Sequence, residues 1–169
     1  YEIMPSLVGS EMCIRDRWIN ASMHNPCIIP GTAEQHTNAY IKVMDNPKVC
    51  VLGHTESADY PYDYDAVTKA CKEKNVAMEF NVSRFRSQTS IQRLHDIILP
   101  TCAKNGCYVI VDSDAHFCDK IGAFKKAEAL LKDIDFPEEL IVNADLERFE
   151  SFLRLRGIKT NSEIEPDED

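Results

Sequence analysis

No apolar run in this sequence approaches the roughly 20 residues that a membrane span requires, and no charged start leading into an apolar core marks a secretory signal. The expectation is a cytoplasmic protein with no membrane partner. Also absent is any Cys-x-x-Cys pair. The seven cysteines, Cys13, Cys27, Cys50, Cys71, Cys102, Cys107 and Cys118, stand singly, and their odd number fits reduced, mostly buried thiols rather than a disulfide framework or a zinc knuckle. An excess of positive charge is missing too. Sequence-independent nucleic-acid binding rests on clustered Lys and Arg that displace counterions, and a net charge of −9 argues against such a partner. Part of that charge lies in Glu163 to Asp169, and residues 159–169 read as an acidic, solvated, disordered tail.

The chain does not open on Met. Tyr1 to about Arg17, with the core Pro5-Ser6-Leu7-Val8-Gly9-Ser10-Glu11-Met12-Cys13-Ile14-Arg15-Asp16-Arg17, resembles translated sequencing-adapter read-through. We therefore set residues 1–17 aside from fold reasoning and expect a fragment of a longer protein. A chain of 169 residues is enough for one domain, and 44% hydrophobic content is ordinary for a globular one.

From Trp18 onward, apolar strand-like runs alternate with helical spacings. Trp18 to Met23 reads as a strand ending at His24, and Thr32 to Met44 as a helix closed by Asp45-Asn46-Pro47. Val49 to Gly53 is a short buried strand ending at His54, followed by a polar loop and a helix from about Tyr64 to Lys74. Val76 to Phe80 is the third strand, and Ile91 to Lys104 a helix with Ile91, Leu94, Ile97, Ile98 and Cys102 on its apolar face. Asn105-Gly106 stops that helix, and Cys107 to Val111 is the fourth strand. Ile121 to Lys132 and Asp145 to Leu155 are the last helices, the second begun by an Asn143 or Asp145 cap. Strands alternating with helices predict right-handed crossovers and an α/β fold with a parallel sheet of about four βα units.

Three of the four predicted strands end at a candidate metal ligand: His24, His54, and Asp114 with His116. Parallel neighbours send their C-terminal ends to one rim, so ligands about 30 residues apart in sequence meet there. Within Asp112-Ser113-Asp114-Ala115-His116, Asp114 and His116 face one pocket only if the backbone stays extended past Val111. Asp112 shares that parity and is either an alternative ligand or a group supporting one. Mixed imidazole and carboxylate donors suit zinc, manganese or iron better than magnesium or calcium.

Glu79, inside the third strand, has two readings: a buried carboxylate bonded to neighbouring strands, or a support for a metal-bound histidine. Asn81 is nearer the rim, where it would orient a ligand. Arg84 and Arg86 lie in the following loop. The Arg84 guanidinium fork matches a phosphate, and the alternative is a solvated loop arginine. His36 and His95 fall inside predicted helices and are expected on helix surfaces.

These residues resemble the PHP family, named for polymerase and histidinol phosphatase, and particularly its bacterial phosphatase branch. The resemblance covers about Trp18 to Ile158 and is carried by Val51-Leu52-Gly53-His54, Ala77-Met78-Glu79-Phe80-Asn81 and Asp112-Ser113-Asp114-Ala115-His116. Phe136-Pro137-Glu138-Glu139-Leu140-Ile141-Val142-Asn143, Phe152-Leu153 and Arg156-Gly157 also look like this branch. The resemblance implies an incomplete distorted (βα)7 barrel, with residues 18–158 as its C-terminal part. It also implies a three-metal site and hydrolysis of a small phosphorylated substrate.

By the same resemblance, His24 and His54 would serve one metal, Asp114 a second and His116 the third. A His-x-His motif, two further histidines and a bridging glutamate would come from earlier strands that this chain does not contain. Weak or absent catalysis is therefore expected of the chain by itself. Thr55 departs from the proline this branch often has after the histidine. A non-catalytic PHP scaffold, or another metal-dependent barrel hydrolase such as an amidohydrolase, are the rival readings.

Overall fold

The computed structural model describes residues 18–25 and 27–159, so the adapter-like segment and all of the expected tail except Lys159 lie outside the described residues. Four strands, β1 (Ile19–Ser22), β2 (Val49–Gly53), β3 (Ala77–Asn81) and β4 (Val109–Asp112), form one parallel sheet in sequence order. Helix α1 (Ala33–Val43) connects β1 to β2, and α2 (Tyr64–Lys74) connects β2 to β3. Between β3 and β4 run a 3-10 turn (Val82–Arg86), α3 (Gln88–Arg93), a π-helical stretch (Leu94–Ile98) and α4 (Leu99–Asn105). Helices α5 (Lys125–Asp133) and α6 (Leu146–Leu155) follow β4.

The two inner strands are buried along their whole length, which is why β2 reads as a continuous apolar run, while β3 carries two buried polar residues, Glu79 and Asn81. One core joins the sheet to the connecting helices through Val67, Cys71, Leu94, Ile98 and Leu99. The second joins Cys50, Val51 and Ala77 to Val142 and Phe152, with Trp18, Tyr108 and Phe149 packed around it. Arg156, just past α6, ties this second layer down by donating to the carbonyls of Lys74, Pro47 and Val49.

Local chemistry sets the boundaries. Thr32 and Gln35 form a reciprocal capping box at the start of α1, and Asp63 caps α2 through the Ala66 amide at 3.0 Å. The expected single helix from Ile91 to Lys104 is longer and contains the π stretch, in which the Leu99 amide reaches back to the Leu94 carbonyl. Pro100 explains this, since its ring displaces the carbonyl four residues earlier and it has no N–H to give. The fourth strand begins two residues later than expected. Gly106 takes a left-handed φ of 63° and the Cys107 amide still bonds the Cys102 carbonyl at 2.9 Å, so Cys107 belongs to the helix cap.

The helix expected from Ile121 starts instead at Lys125, because Ile121 is 72% exposed and has no core to face. Asp145 is the cap of α6. Asn143 does something else: its side-chain amide accepts from the Val111 amide at 3.0 Å and donates to the Val111 carbonyl at 2.7 Å. Together with the Val142 amide on the Val109 carbonyl at 2.8 Å, it covers the outer edge of β4 as a further strand would. Among the described residues, no helix is long and apolar enough to cross a membrane.

Candidate metal centre

Parallel strands in sequence order bring the C-terminal ends of β2, β3 and β4 side by side. Just past β2, His54 adopts a left-handed backbone with φ 52°, and just past β4, Asp114 does the same with φ 43°. Such conformations are uncommon for residues with a Cβ and gather where a fold aims side chains for a task. Between them, the Asn81 amide nitrogen lies 3.4 Å from His54 Nδ1 and 3.3 Å from Asp114 Oδ2. Asn81 Oδ1 accepts from the Ser83 amide at 2.8 Å, which caps the 3-10 turn and fixes the amide's orientation. Ser83 Oγ lies 2.9 Å from Asp114 Oδ2 and 2.7 Å from Asn81 Oδ1, and its single hydrogen serves one of them at a time.

The His24 ring meets the His54 ring edge to face, with centroids 4.4 Å apart. The pairing of Ser22 with Gly53 across β1 and β2 makes this possible. His24 itself is exposed and lies two residues past the end of β1, which stops at Ser22 rather than running to His24.

Beneath His54 lie two buried carboxylates. Glu79 Oε2 accepts from the His54 backbone amide at 2.6 Å and stands 3.5 Å from His54 Nδ1. A Cβ at Gly53 would come 3.3 Å from Ser22 Cβ, so the glycine eases the close approach of β1, while Glu79 Oε2 at 3.4 Å would be in ordinary contact. Glu56 Oε1 is 3.9 Å from His54 Nδ1 and 2.8 Å from Arg84 Nε. That close approach to Arg84 is off the hydrogen-bonding axis, and neither Glu56 oxygen has a hydrogen-bond partner. His54, Glu56 and Glu79 bring ligand atoms within 4.8 Å of one another, close enough to share one cation. Two buried carboxylates beside an imidazole, with Glu56 Oε2 left without a hydrogen-bond partner, fit a divalent cation in both charge and donor type.

Electrostatics follow the burial. Burial, assisted by the positive charges of Arg84 and His24 and opposed by Asp114, lowers the His54 imidazole to about 4, so that its ring is neutral and free to donate a lone pair at neutral pH. Burial, then the hydrogen bond and charge of Asp112, pushes the Glu79 carboxyl up to about 9. Burial also raises Glu56, against the pull of the Arg84 and Arg93 charges. At Asp114, partial burial raises the carboxyl, but hydrogen bonds from Ser83 and Asn81 with the charges of His54 and His116 outweigh it and hold the group below its usual range.

The sequence-predicted residues thus separate into two sets. His24, His54, Asn81 and Asp114 meet at the rim, with Glu79 and Asp112 behind them. His116 stands apart, its side chain 80% exposed and 4.0 Å from Asp114 Oδ1, with Nδ1 at 2.9 Å from the Asp114 carbonyl. The extended backbone that would aim Asp114 and His116 together is not present. Strand β4 ends at Asp112, and the left-handed turn at Asp114 breaks the parity.

Glu79 is buried, and its carboxylate accepts from the His54 amide just past the neighbouring strand. Arg84 lies on the 3-10 turn with its side chain 38% exposed and its Nε 2.8 Å from Glu56 Oε1. His36 corrects its expectation: it is 3% exposed, accepts from the Gly31 amide at Nε2 and donates from Nδ1 to the Pro61 carbonyl at 2.7 Å, pinning two loops. His95 lies on the helix surface as expected, between Asp96 and Asp133. Cys27, Cys50, Cys71, Cys102, Cys107 and Cys118 are free thiols, four of them buried.

Sequence reasoning missed Glu56 and Ser83. The spacing of His54 and Glu56, two apart like Asp114 and His116, is the signal that would have found the first. Nothing in the periodicity marks the second.

No protein-family model matches the chain. It is similar to a probable phosphatase of Clostridium novyi, 40% identical over 139 residues that make up 81% of this chain and 57% of the relative. A probable phosphatase of Clostridium acetobutylicum is 39% identical over 153 residues, 88% of this chain and 61% of its own length. One of Aliivibrio fischeri is 39% identical over 143 residues, 83% and 57% of the two chains. The chain spans about three-fifths of the length of the curated relatives it matches.

Proposed function

We propose that this chain is part of a metal-dependent phosphatase of the PHP type, its four βα units forming an arc of a distorted (βα)7 barrel, acting on a small phosphorylated substrate. The observation that carries the reading is the meeting of His54 and Asp114 around the Asn81 amide at the C-terminal rim of the sheet, where such folds keep their chemistry. The similarity to probable phosphatases over four-fifths of the chain supports it.

In this reading His24, His54 and Asp114 hold divalent cations, zinc, manganese or iron, with His116 at the outer edge. A bound divalent cation would supply a nucleophile at neutral pH by lowering the pKa of water and would draw charge from the phosphoryl oxygens. Asn81 and Ser83 orient the Asp114 carboxylate, and Glu79 holds the His54 backbone in its left-handed turn. Arg84, on the 3-10 turn at the same rim, supplies the planar donor pair that a phosphate accepts.

The test is turnover of p-nitrophenyl phosphate by the full-length protein, with and without a chelator and in His54→Ala. Loss of turnover under chelation and in the variant is the expected result. Unchanged turnover in His54→Ala removes His54 from the site, and turnover of amide substrates with none of phosphate esters moves the protein to the amidohydrolase reading.

A further inference from the structure

One group in the rim cluster is left unused by the proposed reaction. The Glu56 side chain is 0% exposed, yet both of its carboxylate oxygens lack a hydrogen-bond partner. A buried carboxylate in that state is costly unless a cation shares it. Two positive partners lie within reach of the same oxygen: Arg84 Nε at 2.8 Å, and whatever cation His54 Nδ1, at 3.9 Å, would hold. Arg84 Nε is itself without a hydrogen-bond partner, so the present contact is one of charge, not of a formed bond.

The two sides of the contact differ in freedom. Glu56 is fixed from its backbone, whose carbonyl accepts from Arg93 Nη1 at 2.6 Å, and its side chain is enclosed. The Arg84 side chain is 38% exposed and sits on a short 3-10 turn that opens to the rim. Of the two, only the arginine can leave.

We propose that Glu56 is an exchange ligand, pairing with Arg84 until a divalent cation binds jointly with His54 and Glu79, and then turning to that cation and releasing Arg84 to receive a phosphate. This rests on the metal-dependent reading of the rim given above. Metal loading and phosphate binding are then coupled through one carboxylate, because the guanidinium becomes available only once the cation has taken its partner.

The experiment is titration of the purified protein with Co2+ alone, read by calorimetry and by the visible absorption of the bound ion. Wild type is compared with His54→Ala, Glu56→Gln and Arg84→Met, each checked for folding by circular dichroism. Glu56→Gln keeps size and removes the charged ligand, and the expected loss of Co2+ affinity is about tenfold or more. Arg84→Met removes the competitor, so affinity rises, by roughly threefold or more.

A second arm titrates the same proteins with inorganic phosphate in the absence of metal. Glu56→Gln binds it more tightly than wild type, and the gain disappears in Glu56→Gln/Arg84→Met. Unchanged Co2+ affinity in either single variant, with affinity lost in His54→Ala, overturns the exchange while leaving the metal centre standing. Absence of Co2+ binding by wild type overturns both.

Discussion

His54 and Asp114 lie beyond strands that do not touch, yet one amide serves both: Asn81, at the end of the strand between them, is 3.4 Å from the imidazole and 3.3 Å from the carboxylate. The same side chain caps the following turn through Oδ1. Asn81→Ala is therefore expected to cost about 1–2 kcal/mol as a lost cap and to lower metal affinity by about tenfold or more. Asn81→Asp keeps the capping oxygen and recovers most of the stability while placing a second carboxylate against Asp114. Urea unfolding and metal titration of the two variants separate the roles. Equal stability in Asn81→Ala and Asn81→Asp would show that the cap contributes nothing.

A Cβ at Gly53 would meet Ser22 Cβ at 3.3 Å, tighter than an ordinary contact. Gly53→Ala presses on Ser22 across the β1–β2 pairing and is expected to destabilise by about 1 kcal/mol or more, as overpacking does. Thermal unfolding of the variant checks it, and a melting temperature equal to the parent's would mean that the rim yields without cost.

His36 joins the loop before α1 to the loop before α2, through the Gly31 amide and the Pro61 carbonyl. His36→Phe fills the space but leaves both backbone groups unpaired, at an expected cost of about 1–3 kcal/mol. Faster proteolysis at the loops holding Gly31 and Pro61 is the direct readout. Cleavage no faster than in the parent would sink the assignment.

His95 is raised above its usual range by hydrogen bonds with Asp96 and then Asp133. A pKa higher in the folded than in the unfolded protein means stability that is complete below the unfolded value, near 6.5, and is lost as pH rises through the folded one. The difference in melting temperature between the parent and His95→Asn is thus expected to be largest below the unfolded value and to shrink as pH rises above it. Added salt shrinks it, because the group is exposed. A difference that grows with pH would contradict the assignment.

Cation binding at the rim should appear as stability. A ligand at about 100 times its Kd contributes ~2.7 kcal/mol, so Zn2+, Mn2+ or Co2+ raises the melting temperature by several degrees, chelator reverses the shift, and His54→Ala shows none. Identical melting with and without metal would argue that the rim holds no cation.

The alternation of strands and helices was legible because buried parallel strands must be apolar on both faces, as Val49 to Gly53 and Ala77 to Asn81 nearly are. The convergence of His54 and Asp114 on one rim followed from that alternation alone. The same local rules misjudged His36, since a helix face reads the same whether it meets water or another loop. They could not anticipate Asn143 pairing with Val111, or the left-handed turn that parts Asp114 from His116.

The sequence by itself determined the element order, the parallel sheet and the side of it that carries imidazoles and carboxylates, because these depend on periodicity and on connection handedness. Only the tertiary structure decided that Glu56 is enclosed, that Arg84 leans on it and that Asn81 stands between two strand ends. Those are contacts between loops, and loop contacts depend on strand register and turn geometry rather than on any pattern along the chain.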